Sequence, residues 1–218
     1  MFILKNYPNS IVIIASFFWG SYWIRLRYLN NNSNESIWPI CFAFIFLSLL
    51  LIKYLINSFH LVFIKKNYFF FFGCFFAALG IVFYSESLLR GEIAKVVVLF
   101  YLCPIWGTIF AKIFLGRKLT TKRALSIIIG IIGLEIMVGI DKGIFLPSLA
   151  VEWMALIGGL LWAIGTTFFH LAKSTKSVEK TSLTTFIIPI VYVVLCLFPD
   201  SRNFIFSENL FDNIIYLW

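Results

Sequence analysis

Four ionisable side chains interrupt the long apolar blocks of this chain: Arg25, Glu86, Lys95 and Glu135. A charge inside an apolar helix costs roughly 2.5–3.5 kcal/mol on insertion scales, so such residues usually face a cavity or an opposite charge. Two of the four are basic and two acidic, so one reading is that they pair across a central cavity. The other is that they sit near an interface and stretch towards the headgroups, beside Arg27, Arg90 and Glu92. For Arg25 and Glu86 both readings stand. Lys95 and Glu135 lie deeper in their blocks, which favours the cavity. Glu92 opens its block, where a carboxylate suits the positive end of a helix.

Aromatic and proline positions add a second set of candidates. Trp19, Trp106 and Trp162 are placed to wall a solute path, whereas Trp23 suits an interfacial anchor. Pro104, in Tyr101-Leu102-Cys103-Pro104-Ile105-Trp106, lacks a backbone donor and should bend its helix, freeing a carbonyl near mid-span. Pro189 does likewise further on, so both are candidate hinges. Enzyme chemistry has no comparable support. His60 and His170 belong to no H-E-x-x-H pattern, and no G-x-S-x-G or Walker A motif occurs, so neither catalysis nor ATP is expected. Cys41, Cys74, Cys103 and Cys196 sit inside apolar blocks without C-x-x-C spacing. They read as small hydrophobes, with no metal and no cofactor expected.

The elements that would position these residues follow from composition. Of 218 residues 61% are hydrophobic and 13% charged, and mean hydropathy is +0.95. A soluble domain typically carries about 25% charged residues. Blocks near 10–29, 37–57, 68–89, 92–115, 122–140, 149–173 and 181–198 approach the roughly 20 apolar residues a membrane span needs. Lys5 followed by Ile11–Phe18 mimics a secretory leader, but Trp19-Gly20-Ser21-Tyr22-Trp23 offers no cleavage site, so a retained first span is expected.

With the N-terminus in the cytoplasm, the inner connectors collect Lys5, Lys53, Lys65, Lys66, Arg117, Lys118, Lys122, Arg123, Lys173, Lys176 and Lys180. The outer ones hold only Arg90, Lys142 and Arg202, with Glu35, Asp141, Asp200, Glu208 and Asp212 on the same side. That is the positive-inside pattern, and it accounts for the net charge of +8 without a nucleic-acid partner. Ala155, Gly159, Ala163 and Thr167 form a narrow stripe in the sixth block. Gly73 with Ala77, Gly107 with Ala111, and Ser126 with Gly130 repeat that spacing elsewhere, and small residues let helices approach in lipid. The phenylalanine-rich run 68–72 reads as lipid-facing filler.

Ala15-Ser16-Phe17-Phe18-Trp19-Gly20 and Gly158-Gly159-Leu160-Leu161-Trp162-Ala163 share a small, small, bulky, bulky, Trp, small order. The first and sixth spans run in opposite directions, as an inverted repeat requires. The stretch from Tyr84-Ser85-Glu86-Ser87-Leu88 through Pro104 to Leu115-Gly116-Arg117-Lys118-Leu119-Thr120, followed by Gly130 and Gly133, resembles the EamA domain of the drug/metabolite transporter superfamily. Trp19-Gly20-Ser21 is similar to the W-G-S/T element of its first helix, and Leu161-Trp162-Ala163 to the second-repeat counterpart. Arg117 stands where the family's loop has glutamate. Lys95 resembles a basic position found in some branches.

The resemblance implies an all-α, polytopic transmembrane helix bundle from an inverted five-plus-five repeat. Residues 1–140 would form the first five-helix repeat and 149–218 an incomplete second one. Seven spans would be complete, with Leu210–Trp218 starting an eighth. It implies a secondary transporter in the plasma (inner) membrane, N-terminus cytoplasmic, exporting small metabolites or amino-acid-like solutes by alternating access. Lys95 and Glu135 would then lie in or beside the central cavity, Arg25 and Glu86 at its outer mouth, and Trp19, Trp106 and Trp162 in its walls. The partners expected are a small-molecule substrate, membrane lipid, and a second copy or another membrane chain completing the bundle. A non-transporting subunit and, less favoured, a membrane-embedded enzyme are the competing readings.

Overall fold

A computed structural model describes residues 8–32, 37–63, 66–117, 120–138, 147, 149–172 and 175–197. The expected eighth-span start at Leu210–Trp218, most of the connector around Asp141 and Lys142, and the side chain of Glu135 lie outside the described residues.

Every regular element among the described residues is an α-helix. They are α1 (Pro8–Gly20), α2 (Tyr22–Asn32), α3 (Ile37–Leu50), α4 (Ile52–Phe63), α5 (Tyr68–Arg90), α6 (Ile93–Phe100), α7 (Cys103–Leu115), α8 (Thr121–Val138), α9 (Ala150–Leu171) and α10 (Ser177–Leu197). Four stretches are long and apolar enough to cross a membrane unaided: α5, α6 with α7, α9 and α10 (in its Ser177–Leu195 part). Their exposed Phe, Ile, Leu and Val side chains have nothing to bury against except lipid.

The second block departs from expectation. Instead of one span over 37–57, the chain runs through α3, turns by 84° at Leu51 and continues as α4. Counted as one broken span, this pair makes a fifth crossing. The fourth block is also interrupted, at Tyr101 and Leu102, so that Pro104 falls in the first turn of α7 rather than inside a continuous helix. There its missing N–H costs little. The first block is split at Ser21, and Arg25 spans the split by donating to the Phe18 carbonyl at 2.7 Å and to Ser21 Oγ at 3.1 Å.

α5 is the axis of the bundle, packed along α9 and α10. Backbones meet directly at the α5–α9 seam. A Cβ at Gly80 would lie 2.9 Å from the Gly158 carbonyl oxygen and the Trp162 nitrogen, and one at Gly165 would lie 2.7 Å from the Ala77 nitrogen. The stripe of Ala155, Gly159, Ala163 and Thr167 is buried as its spacing predicts. Burial of water-avoiding surface cannot drive helices together inside lipid; close van der Waals contact of this kind can. The C-terminal end of α5 is tied down by Arg27 of α2, which donates to the Leu88 and Gly91 carbonyls.

Candidate functional site

Pro104 cannot donate to the carbonyl of Phe100 one turn earlier, and α9 uses that place. A Cβ on Gly159 would come within 2.6 Å of the Phe100 oxygen, so only glycine lets α9 lie against the break. Beyond the break α7 packs along α9, and α8 stands beside it with nearly every described side chain exposed. Between them a cavity of about 830 Å³ opens, lined by α6, α7, α8 and α9. Pockets for small molecules run roughly 300–1,000 Å³.

Its walls are built from small residues. Gly107, Gly130 and Gly133 line the space, and a Cβ on any of them would meet nothing within 4 Å. The spacing of Gly107 with Ala111, and of Ser126 with Gly130, predicted helix contact; here those positions leave room instead. Thr108, Ser126 and Thr166 donate to the carbonyls of Pro104, Lys122 and Ala163 at 2.8, 2.9 and 3.0 Å. Each hydroxyl oxygen thereby keeps acceptor capacity for a solute. Val97, Leu102 and Ile105 supply the apolar surface, and Arg117 and His170 stand at the end towards the α7 and α9 C-termini. The cavity is therefore apolar along its length and cationic at one mouth.

A second polar constellation lies on the other side of α5. Glu86 is only 1% exposed and pairs with Arg90 one turn on at 3.2 Å. Ser85 donates to the Ile81 carbonyl at 2.7 Å, so the Tyr22 hydroxyl, 2.9 Å away, donates to Ser85 Oγ. Trp19 stacks on Tyr22 and Tyr84, and Tyr84 stacks on Phe100 with centroids 4.1 Å apart. The Tyr192 hydroxyl from α10 reaches the same group beside Ser85, without a well-formed hydrogen bond among the described residues. A buried hydroxyl left in that state destabilises its surroundings.

Lys95 sits apart from both groups. Its ammonium is 3.4 Å from Glu152 Oε1 and 3.5 Å from Glu92 Oε2, a strut between α6 and the start of α9. Glu152 is buried, and its other oxygen accepts the Leu149 backbone N–H at 3.5 Å. Among the residues singled out from sequence, Trp19 and Glu86 come into one neighbourhood and Pro104 lines the cavity. Lys95, Arg25, Trp106 and Trp162 do not line it. Trp162 packs against the α5 side of α9, and Trp106 Nε1 is buried with no acceptor among the described residues. Pro189 is buried inside an unbroken α10. Glu152, Tyr192, Thr108 and Thr166 carry no site expectation from sequence, and Ser126 stands there only as a small packing residue. Glu152 carried one signal, a carboxylate in the first turn of a helix; the hydroxyls carried none.

The model of the EamA-like transporter family matches residues 7–139, a stretch that takes in α1 through α8. No curated protein and no solved structure matches the chain.

Proposed function

The chain belongs to the EamA-like transporter family, and from that premise we propose that it is a secondary transporter of small metabolites or amino-acid-like solutes. The observation that carries this reading is the cavity of about 830 Å³ with three glycines in its wall and Arg117 at one mouth. Solute would enter beside Arg117 and His170, rest against Thr108, Ser126 and Thr166, and leave when α7 and α8 move against the α5–α9–α10 body. The glycine-tight seam favours rigid motion of that body, while the break at Tyr101–Leu102 gives α7 a place to pivot. With the basic connectors in the cytoplasm of a plasma (inner) membrane, the cationic mouth faces the cell interior, which suits export. On this arrangement Lys95 and Glu152 hold α6 to α9 rather than bind solute, and Glu86 lies behind the cavity wall.

Efflux of a panel of labelled amino acids and metabolites from proteoliposomes tests the reading. Gly107→Leu fills the cavity where no atom stands within 4 Å of the new Cβ, so folding should persist. Flux should fall at least tenfold. Undiminished flux in a folded Gly107→Leu protein would remove this cavity from the path.

A second reading, a membrane subunit docking on another copy or another chain, is favoured by one feature. α8 exposes Leu125, Ile128, Ile129, Ile132 and Ile136, and its principal contact with the bundle is through α6. Cross-linking through Ile132→Cys in native membranes separates the two readings.

A further inference from the structure

α4 carries three kinds of residue in three parallel stripes. Leu55, Ser58 and Val62 recur at three and four residues and are buried against the bundle. Ile52, Ile56 and Phe63 lie on a second line and are 47%, 65% and 72% exposed, with Phe59 between them. Lys53, Asn57 and His60 make the third line, also exposed. At 3.6 residues per turn these are separate faces of one cylinder. Asn57 apart, the last two lines meet something other than this protein, and the two want different surroundings. One needs an apolar medium and the other an aqueous one, side by side along the whole helix.

The placement of α4 says where that happens. α3 is about 21 Å long at 1.5 Å per residue, and its exposed faces are apolar at Phe42, Phe46, Leu49 and Leu50. The chain then turns 84°, so that α4 runs nearly across the direction of α3. It passes the first turns of α10, where Ser58 Oγ is 3.0 Å from the Glu179 carbonyl and Asn57 Nδ2 donates to Glu179 Oε1 at 2.5 Å. Phe59 packs edge-on against Phe186. This is also the end where the basic connectors gather. Phe168 near the C-terminus of α9 touches Phe69 at the start of α5 and Phe114 at the end of α7, with Lys66, Arg117 and Lys176 just beyond. Tyr54 in α4 and Tyr68 at the start of α5 are exposed, and such rings favour the boundary between lipid and water.

We propose that α4 lies in the plane of the bilayer interface at the basic end, with Ile52, Ile56 and Phe63 among acyl chains and Lys53 and His60 among phospholipid headgroups. A water-covered surface would leave the apolar stripe without a partner, and a continuation of the α3 span would sink Lys53 into hydrocarbon. The interface satisfies both stripes at once. Because Asn57 and Ser58 are bonded to the first turn of α10, any change in the depth of α4 pulls on α10 directly. Lipid composition therefore has a mechanical route into the bundle.

Labelling of the full chain in membranes tests this without any transport measurement. Lys53→Cys, His60→Cys, Ile56→Cys and Phe63→Cys would each be exposed to a water-soluble maleimide, with the parent chain as background for its own thiols. The first two are expected to react at least tenfold faster than the last two in intact membranes, and all four alike in denaturing detergent. Equal rates at Ile56 and Lys53 would put α4 in water, and protection of all four would make it part of a crossing; either overturns the proposal. A phosphatidylglycerol bearing a photoactivatable acyl chain should attach to the 52–63 segment. Attachment to α3 without attachment to that segment would overturn it equally.

Discussion

The α5–α9 seam and the α7–α8 wall of the cavity are both built with glycine, and they use it in opposite ways. At Gly80 and Gly165 the space of a missing Cβ is taken by the backbone of the facing helix. At Gly107, Gly130 and Gly133 nothing lies within 4 Å of it. In the seam glycine is a contact, and in the wall it borders open space. The helices around the seam are buried and ion-paired, whereas α8 leans on little but α6. A transporter needs both kinds of region, one that holds its shape and one that gives way.

The comparison can be broken most directly with the same substitution on both sides. Gly165→Leu would drive a Cβ to 2.7 Å from the Ala77 nitrogen, where only backbone can yield. It should cost about 3 kcal/mol or more, read as collapse of the monodisperse peak and of the unfolding temperature in detergent. Gly130→Leu should cost no stability in the same assay, because its side chain enters open space and leucine is the better helix former. Equal losses at the two positions would mean that the wall is as tightly packed as the seam.

Next in size is the strut that fixes α6 to the seam side. Glu152→Ala leaves Lys95 with only the exposed Glu92 and frees the Leu149 N–H, and should cost about 1–3 kcal/mol. Flux through the cavity should survive whatever folds, because neither residue lines it. Loss of flux at unchanged stability would return Lys95 and Glu152 to the solute path.

Two smaller effects carry the opposite sign. Tyr192→Phe removes a buried hydroxyl that lacks a well-formed bond and should stabilise the seam side by up to about 1 kcal/mol. Gly133→Ala places a better helix former where space is open and should add about 0.5–1 kcal/mol. Thermal unfolding followed by circular dichroism reads both. A destabilising Tyr192→Phe would show that the hydroxyl has a partner that matters.

Much of the seam was legible in the residues themselves. Gly73 with Ala77 and the four-residue stripe from Ala155 to Thr167 announced close helix contact, and the structure puts both in it. The cavity was not legible, because Gly107 with Ala111 carries the same spacing as Gly73 with Ala77 and periodicity says nothing about what stands opposite. Glu86 and Lys95 were rightly marked as costly charges. Their partners on hand, Arg90 one turn away and Glu152 on another helix, separate them from each other and from the cavity lining. The turn at Leu51 was invisible for a related reason. Hydrophobic residues run straight through it in Leu49-Leu50-Leu51-Ile52, with no glycine or proline nearer than Pro39 to mark a break.

Composition determined by itself that these helices live in lipid. The order of Lys and Arg along the chain separates a basic set of connectors from a sparse one. Only the tertiary structure decided which glycines touch a neighbour and which border open space, and that α4 leaves the direction of α3. The reason is that a helix carries its faces in its sequence, but a vacancy or a bend is defined by two elements at once. The missing Cβ of Gly80 and that of Gly107 are chemically the same until a second backbone is, or is not, set against them.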